Sequence, residues 1–122
     1  MRQFIANIKP EKMLEEATIL RFITFVCLGL HHMHINNIIH RDIKPENLLL
    51  FNGVIKIGDF GIARTFENHT RCKTLKAGSL EYMAPELLDS YSDNYLPKTT
   101  LKGDVWSVGV ILYELCMIFR PF

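Results

Sequence analysis

The chain has 122 residues, with 14 Lys and Arg against 13 Asp and Glu, a net charge of +1 and an isoelectric point near 7.8. So even a balance supplies no field to draw a polyanion, which argues against nucleic-acid and membrane-surface partners. Hydrophobic residues at 48% with 22% charged exclude a disordered or collagen-like chain, and the length allows one domain at most.

In chain order, Arg2 to Ile8 reads as a helix closed by Lys9-Pro10. It has no apolar run long enough for a signal peptide. A second helix is expected from about Lys12, with Ile19, Phe22, Ile23, Val26, Cys27, Leu30 and Met33 recurring at the spacing of one buried face. Leu20, Phe25 and Leu28 lie off that stripe and predict partners on further sides. The apolar stretch Ala17 to Leu30 holds Arg21 and is shorter than the roughly 20 residues a membrane span requires. Together with three widely spaced cysteines, Cys27, Cys72 and Cys116, and no CxxC, this predicts an intracellular, most simply cytoplasmic, chain with reduced thiols. His31, His32 and His34 close the helix; with no carboxylate or thiol near them in sequence, they read as imidazoles favoured by a helix C-terminus rather than as metal ligands.

Leu48 to Phe51, Asn52-Gly53 and Val54 to Ile57 predict a β-hairpin, because Asn-Gly accepts the positive φ angles of a type I′ turn. Asp59 to Glu86 is polar and irregular, long enough to be a functional loop, and Cys72 stands in it between Arg71 and Lys73. Asp104 to Phe119 predicts a third helix, apolar around its circumference and therefore central and buried.

Three clusters carry chemistry: His40-Arg41-Asp42-Ile43-Lys44-Pro45-Glu46-Asn47, Asp59-Phe60-Gly61 and Ala84-Pro85-Glu86, in that order. In these the chain resembles the eukaryotic protein kinase family, whose catalytic loop, metal-binding loop and activation-segment end carry such signatures. Seven residue identities in the first cluster are typical of that family, which chance would supply at about one in a billion per starting position. The resemblance implies an α+β, protein-kinase-like fold over residues 1–122, a partial catalytic domain: a mainly helical C-terminal lobe with a β-hairpin, its N-terminal lobe and last helices absent.

Phosphoryl transfer asks a protein mainly to position groups and to neutralise charge on phosphate oxygens. By resemblance, Asp42 orients the acceptor hydroxyl and takes its proton, and Lys44 reaches the γ-phosphate. Asn47 and Asp59 offer the oxygen ligands that Mg²⁺ prefers, with Gly61 allowing the turn beside Asp59. Lys44, Glu46, Asn47, Leu49 and Asp59 form the implied ATP site, Leu49 lying under the adenine. Lys44 and Gly78-Ser79 are similar to the Ser/Thr branch, with Ser79 tying the peptide platform to Asp42 and Lys44. His40 and Phe60 match a packed internal spine, and Asp104 matches a helix-start carboxylate that caps the catalytic-loop backbone. Arg41 and Arg64 match cations that gather around an activation-loop phosphate, here on Thr74, with Thr70 the alternative. Ile62, β-branched and next to the metal loop, implies acceptance of threonine at least as readily as serine. Tyr113 to Cys116 and Arg120-Pro121-Phe122 resemble the NIMA-related branch, whereas Ser79 to Ala84 departs from it.

No Gly-rich phosphate loop, strand Lys or partner helix Glu occurs in these residues. The expected function is thus a protein serine/threonine kinase using ATP and Mg²⁺ on a protein substrate, inactive as this isolated fragment. Its missing N-terminal lobe is expected in cis or from a longer gene product. The alternative is a truncated, non-catalytic lobe acting as a binding or decoy module. Neither nucleic acid nor membrane is an expected partner.

Overall fold

The computed structural model describes residues 1–7, 14–62, 64–65, 80–89 and 101–117. Its first long helix, α2 (Glu16–Ile35), follows a short α1 (Arg2–Ala6) and shows why the apolar stripe was spaced as it is. Ile19, Phe22, Val26, Leu30 and Met33 are buried along one face, each contributing roughly 1.5–3 kcal/mol by leaving water. Ile23 packs at the edge of that core, whereas Cys27 is exposed, because 3.6 residues per turn rotate it roughly a quarter turn off the stripe. The helix begins at Glu16, four residues later than expected, and Leu20 and Leu28 face solvent instead of further partners.

At 20 residues, α2 is long and apolar enough to cross a membrane, contrary to the sequence expectation, since it continues past Leu30 to Ile35. Its buried face is committed to the strand β3 and the helix α4 described below. Gly29 permits that approach: a Cβ there would lie 2.9 Å from Ile57 Cδ1. From α1, Ile5 joins the same core and the Phe4 ring meets Phe22 edge-on at 5.4 Å.

After α2 the chain makes β1 (Ile38–Ile39), then the hairpin β2 (Leu48–Phe51) and β3 (Val54–Ile57). The hairpin is antiparallel, Leu48 opposite Ile57 and Phe51 opposite Val54. Asn52 (φ 49°) and Gly53 (φ 75°) make the turn, as the Asn-Gly pair predicted. Alternation buries Leu48 and Ile55 and exposes Leu49, Phe51, Val54 and Lys56. β4 (Arg64–Thr65) returns to pair antiparallel with β1, Ile39 opposite Arg64. The long polar loop is therefore partly structured: a 3-10 turn at Phe60–Ile62, another at Leu80–Tyr82, and α3 (Pro85–Asp89), begun by a proline where its missing N–H costs nothing.

The last described element, α4 (Leu101–Met117), starts three residues before Asp104. Val108, Val110, Ile111 and Leu115 are buried, together with Gly103, Asp104, Ser107 and Glu114. It is not buried all round as expected. Val105, Leu112 and Met117 face outward, because the neighbours packed on α4 among the described residues, α2 and the Leu80–Tyr82 turn, cover one side of it. The architecture is thus mainly helical, with small antiparallel sheets.

Candidate active site

The loop between β1 and β2 is built around two buried polar groups, Asp104 from distant sequence and His40 of the loop itself. Asp104, 2% exposed, accepts the backbone N–H of His40 at 2.9 Å on Oδ2 and that of Arg41 at 2.8 Å on Oδ1. This is the backbone cap that the resemblance implied for Asp104, and it holds Arg41 in the left-handed region at φ 72°. His34 Nε2 also meets Asp104 Oδ2, at 2.9 Å. No carboxylate stands near the histidines in sequence, but the fold brings Asp104 to His34 from 70 residues away, a contact that no local pattern announces.

His40 is fully buried. Its Nδ1 accepts the Asp42 N–H at 3.3 Å, so its Nε2 carries the proton and donates to Gly58 O at 3.0 Å. The ring also meets Phe60 at 5.6 Å, edge to face, which ties the loop before β2 to the turn after β3. Gly58 N–H in turn donates to Asn47 O at 2.8 Å. The two loops are therefore laced together across the open base of the hairpin.

Within the first loop the candidate catalytic groups converge. Lys44 Nζ donates to Asp42 Oδ2 at 2.7 Å, with both side chains largely shielded. Asn47 Nδ2 donates to Asp42 O at 2.7 Å and to Oδ2 at 3.0 Å. With its amide nitrogen spent on Asp42, the oxygen of Asn47 is left as the donor atom for a hard cation. Asp59 is exposed just past Gly58, at φ 56°, with Oδ1 accepting the Gly61 N–H at 3.3 Å. The left-handed residue of this turn is thus Asp59 itself. Gly61 serves differently than expected: a Cβ there would come within 3.1 Å of Asp59 Oδ1.

Asp42, Lys44 and Asn47 are in direct contact, and the hairpin brings Asp59 to the same end. One carboxylate and one carboxamide suit Mg²⁺, which keeps water and phosphate oxygens in most of its positions. Among the described residues no group of three or more His, Cys, Asp or Glu forms a self-sufficient metal site. Leu49 is exposed on the hairpin. Glu46 turns its carboxylate to Arg2 Nε at 3.2 Å. Arg41 and Asp42 line a cleft that continues over Ile43 to Met83, Ala84 and Leu87. Arg64 is placed by its backbone in β4; Thr70, Cys72, Thr74 and Ser79 lie outside the described residues, as does the Ile62 side chain.

Arg2, Tyr82 and Glu114 were not foreseen. Arg2 Nη1 lies 2.6 Å from Glu114 Oε1, and Tyr82 OH donates to Glu114 Oε2 at 2.7 Å. Burial pushes the Tyr82 phenol above its ordinary value, and the bond to the Glu114 carboxylate adds to this. Burial opposes the charge on Arg2, but Tyr82, Glu114 and Glu46 outweigh it and hold the guanidinium protonated. Tyr82→Phe is expected to cost about 1–3 kcal/mol at pH 8. A raised folded value gives stability that is complete below the ordinary value of 10 and fades as pH climbs beyond it. Urea melts of both proteins from pH 8 to 11 should show the gap narrowing above pH 10.

The loop before the hairpin and the turn after it thus bring Asp42, Lys44, Asn47 and Asp59 to one end of the hairpin. A family model for the protein kinase domain matches residues 1–122. The chain belongs to the protein kinase family. It is 39% identical to mouse serine/threonine-protein kinase Nek3 over 91% of its own length and 21% of that protein. It is 38% identical to Caenorhabditis elegans serine/threonine-protein kinase nekl-2, over 94% of the chain and 32% of the relative. Zebrafish (Danio rerio) inhibitor of nuclear factor kappa-B kinase subunit alpha is 40% identical over 93% of the chain and 15% of its own length. The chain thus spans a third or less of these relatives. Nek kinases among the relatives agree with the NIMA-related resemblance of Tyr113 to Cys116.

Proposed function

We propose that residues 1–122 form the catalytic-loop part of a protein serine/threonine kinase that transfers the γ-phosphate of ATP to Ser or Thr hydroxyls of a protein substrate. The observation that carries this reading is the contact set of Asp42, Lys44 and Asn47, closed over by His40 and Asp104. Asp42 accepts the acceptor hydroxyl's hydrogen bond and, late in transfer, its proton. Lys44, held against Asp42, sits where a point charge stabilises the transferring phosphoryl oxygens. Asn47 and Asp59 hold Mg²⁺, which when bound neutralises phosphate charge. Leu49 offers the adenine an apolar surface, and Glu46, beside Asn47, completes the nucleotide side.

Ser79 braces the peptide platform, and phosphate on Thr74 recruits Arg41 and Arg64 to order the activation loop. Ile62 lets threonine serve as acceptor at least as well as serine. The protein acts in the cytoplasm, without nucleic-acid or membrane partners. A nucleotide-binding lobe is required from the rest of a longer product, and the isolated chain is inactive. A decoy lobe gains nothing from Asp42, Lys44, Asn47 and Asp59 together.

The test is Mg²⁺-dependent transfer of labelled γ-phosphate to Ser and Thr peptides. The chain joined in frame to a kinase N-terminal lobe is expected to transfer label, and the 122-residue chain alone is not. No transfer by the joined protein would overturn the assignment.

A further inference from the structure

We propose that Asn52 is a modification site: its carboxamide is lost by attack of the Gly53 backbone nitrogen, which turns the tip of the β2–β3 hairpin into a mixture of aspartyl and isoaspartyl forms while the protein stays folded. Of the asparagines in the sequence, Asn52 alone precedes a glycine, whose lack of a side chain leaves its nitrogen open to reaction. The structure adds what the dipeptide cannot. Asn52 is exposed, a Cβ built on Gly53 would meet nothing within 4 Å, and the two residues hold positive φ, 49° and 75°. The last rung of the ladder is Phe51 with Val54, so the Asn52 carboxamide and the Gly53 N–H lie beyond it, and neither has a hydrogen-bond partner among the described residues. Closing the ring requires the Asn52–Gly53 peptide to rotate. Only that end rung resists, and the tip of a hairpin opens locally at little cost.

The other described asparagines are protected by what surrounds them. Asn47 is buried with its Nδ2 on Asp42, Asn36 Nδ2 donates to His32 O at 2.7 Å, and Asn7 and Asn37 each precede an isoleucine, whose branched Cβ crowds the attacking nitrogen. At Asn52 the Gly53 nitrogen gives its proton to water or hydroxide and bonds to Cγ; the Cγ–Nδ2 bond breaks and ammonia leaves, closing a succinimide. Water then opens the ring. Cleavage between the ring nitrogen and Cγ gives aspartate, whereas cleavage between that nitrogen and the main-chain carbonyl carbon gives isoaspartate, in which the chain runs through Cγ. Nothing is oxidised or reduced. Both products place a negative charge at the tip. The isoaspartyl form also lengthens the main chain there by one carbon, which makes it a substrate for a carboxyl methyltransferase of the isoaspartyl-repair class.

The 122-residue chain, incubated folded at neutral pH, is expected to gain the mass of NH₂ becoming OH on the proteolytic peptide that carries Asn52. It should release an equal amount of ammonia and become a methyl acceptor for isoaspartyl methyltransferase. The rate should rise with pH and lie within about tenfold of that in the same chain unfolded in guanidinium chloride, because the tip opens without the rest of the fold. Asn52→Gly, which accepts positive φ and has no carboxamide, should abolish the change. Gly53→Asn, also able to hold the turn, should slow it by about tenfold or more by hindering the nitrogen. The two variants remove different partners of the reaction, so one that fails to fold leaves the other to decide. Product confined to the unfolded chain, a mass gain undiminished by either substitution, or a gain at Asn47 as rapid as at Asn52 overturns the proposal.

Discussion

Replacing Asp104 with alanine is expected to cost about 3–5 kcal/mol, enough to unfold a chain of this size under mild conditions. The carboxylate accepts three hydrogen bonds at once, from the His40 and Arg41 amides and the His34 ring. The His40 amide is fully buried and has no water to replace the carboxylate, while the Arg41 amide and the His34 ring are largely shielded, and each orphaned donor carries its own penalty. Asp104→Asn should be milder, about 1–3 kcal/mol, because its oxygen still serves one side while its NH₂ meets donors on the other. Denaturant melts of the three proteins, with hydrogen exchange at the His40 and Arg41 amides, measure both effects. An alanine variant as stable as wild type would show that the loop holds its shape without this carboxylate.

The second large effect concerns rate. Asp42→Asn in the protein joined to an N-terminal lobe is expected to lower phosphoryl transfer by about 10²–10⁴-fold, since a carboxamide cannot take the acceptor's proton. Stability should shift by no more than about 1–3 kcal/mol, because asparagine keeps an oxygen for the Lys44 ammonium in this largely shielded pair and Asn47 retains Asp42 O as a partner. Single-turnover rates at saturating ATP, paired with thermal melts, separate the two. A rate within a few-fold of wild type would remove Asp42 from the chemistry.

What could be read from sequence followed the distance over which each feature is specified. The hairpin was legible because Asn52-Gly53 and the flanking apolar residues act within ten positions. Asp42, Lys44 and Asn47 could be picked out because one short loop carries all three, but their hydrogen bonds to one another were not foreseen. Contacts between remote segments were not. His34 with Asp104, and Arg2 with Glu114, pair residues 70 and 112 positions apart, and neither leaves a periodic or local mark. The turn at Asp59 was misassigned to Gly61 on the rule that glycine takes positive φ; aspartate also visits that region, its short side chain bonding back to the Gly61 N–H. The outward faces of α2 and α4 were expected to be buried because apolar residues were counted without knowing which sides have neighbours.

The lacing of Gly58 to Asn47 makes the hairpin a detour whose length the site does not sense. Leu48 and Ile57 close its base whatever lies beyond them. Residues added at Asn52-Gly53, or removed in opposed pairs such as Phe51 with Val54, keep that base in register. Loss of one residue from a single strand instead slides the pairing, turns alternate side chains to the wrong face and displaces Asp59 from Asn47. The tip of this hairpin is thus where the chain accepts length variation, a fluorophore or an epitope, while its two ends form a fixed gauge between the two loops.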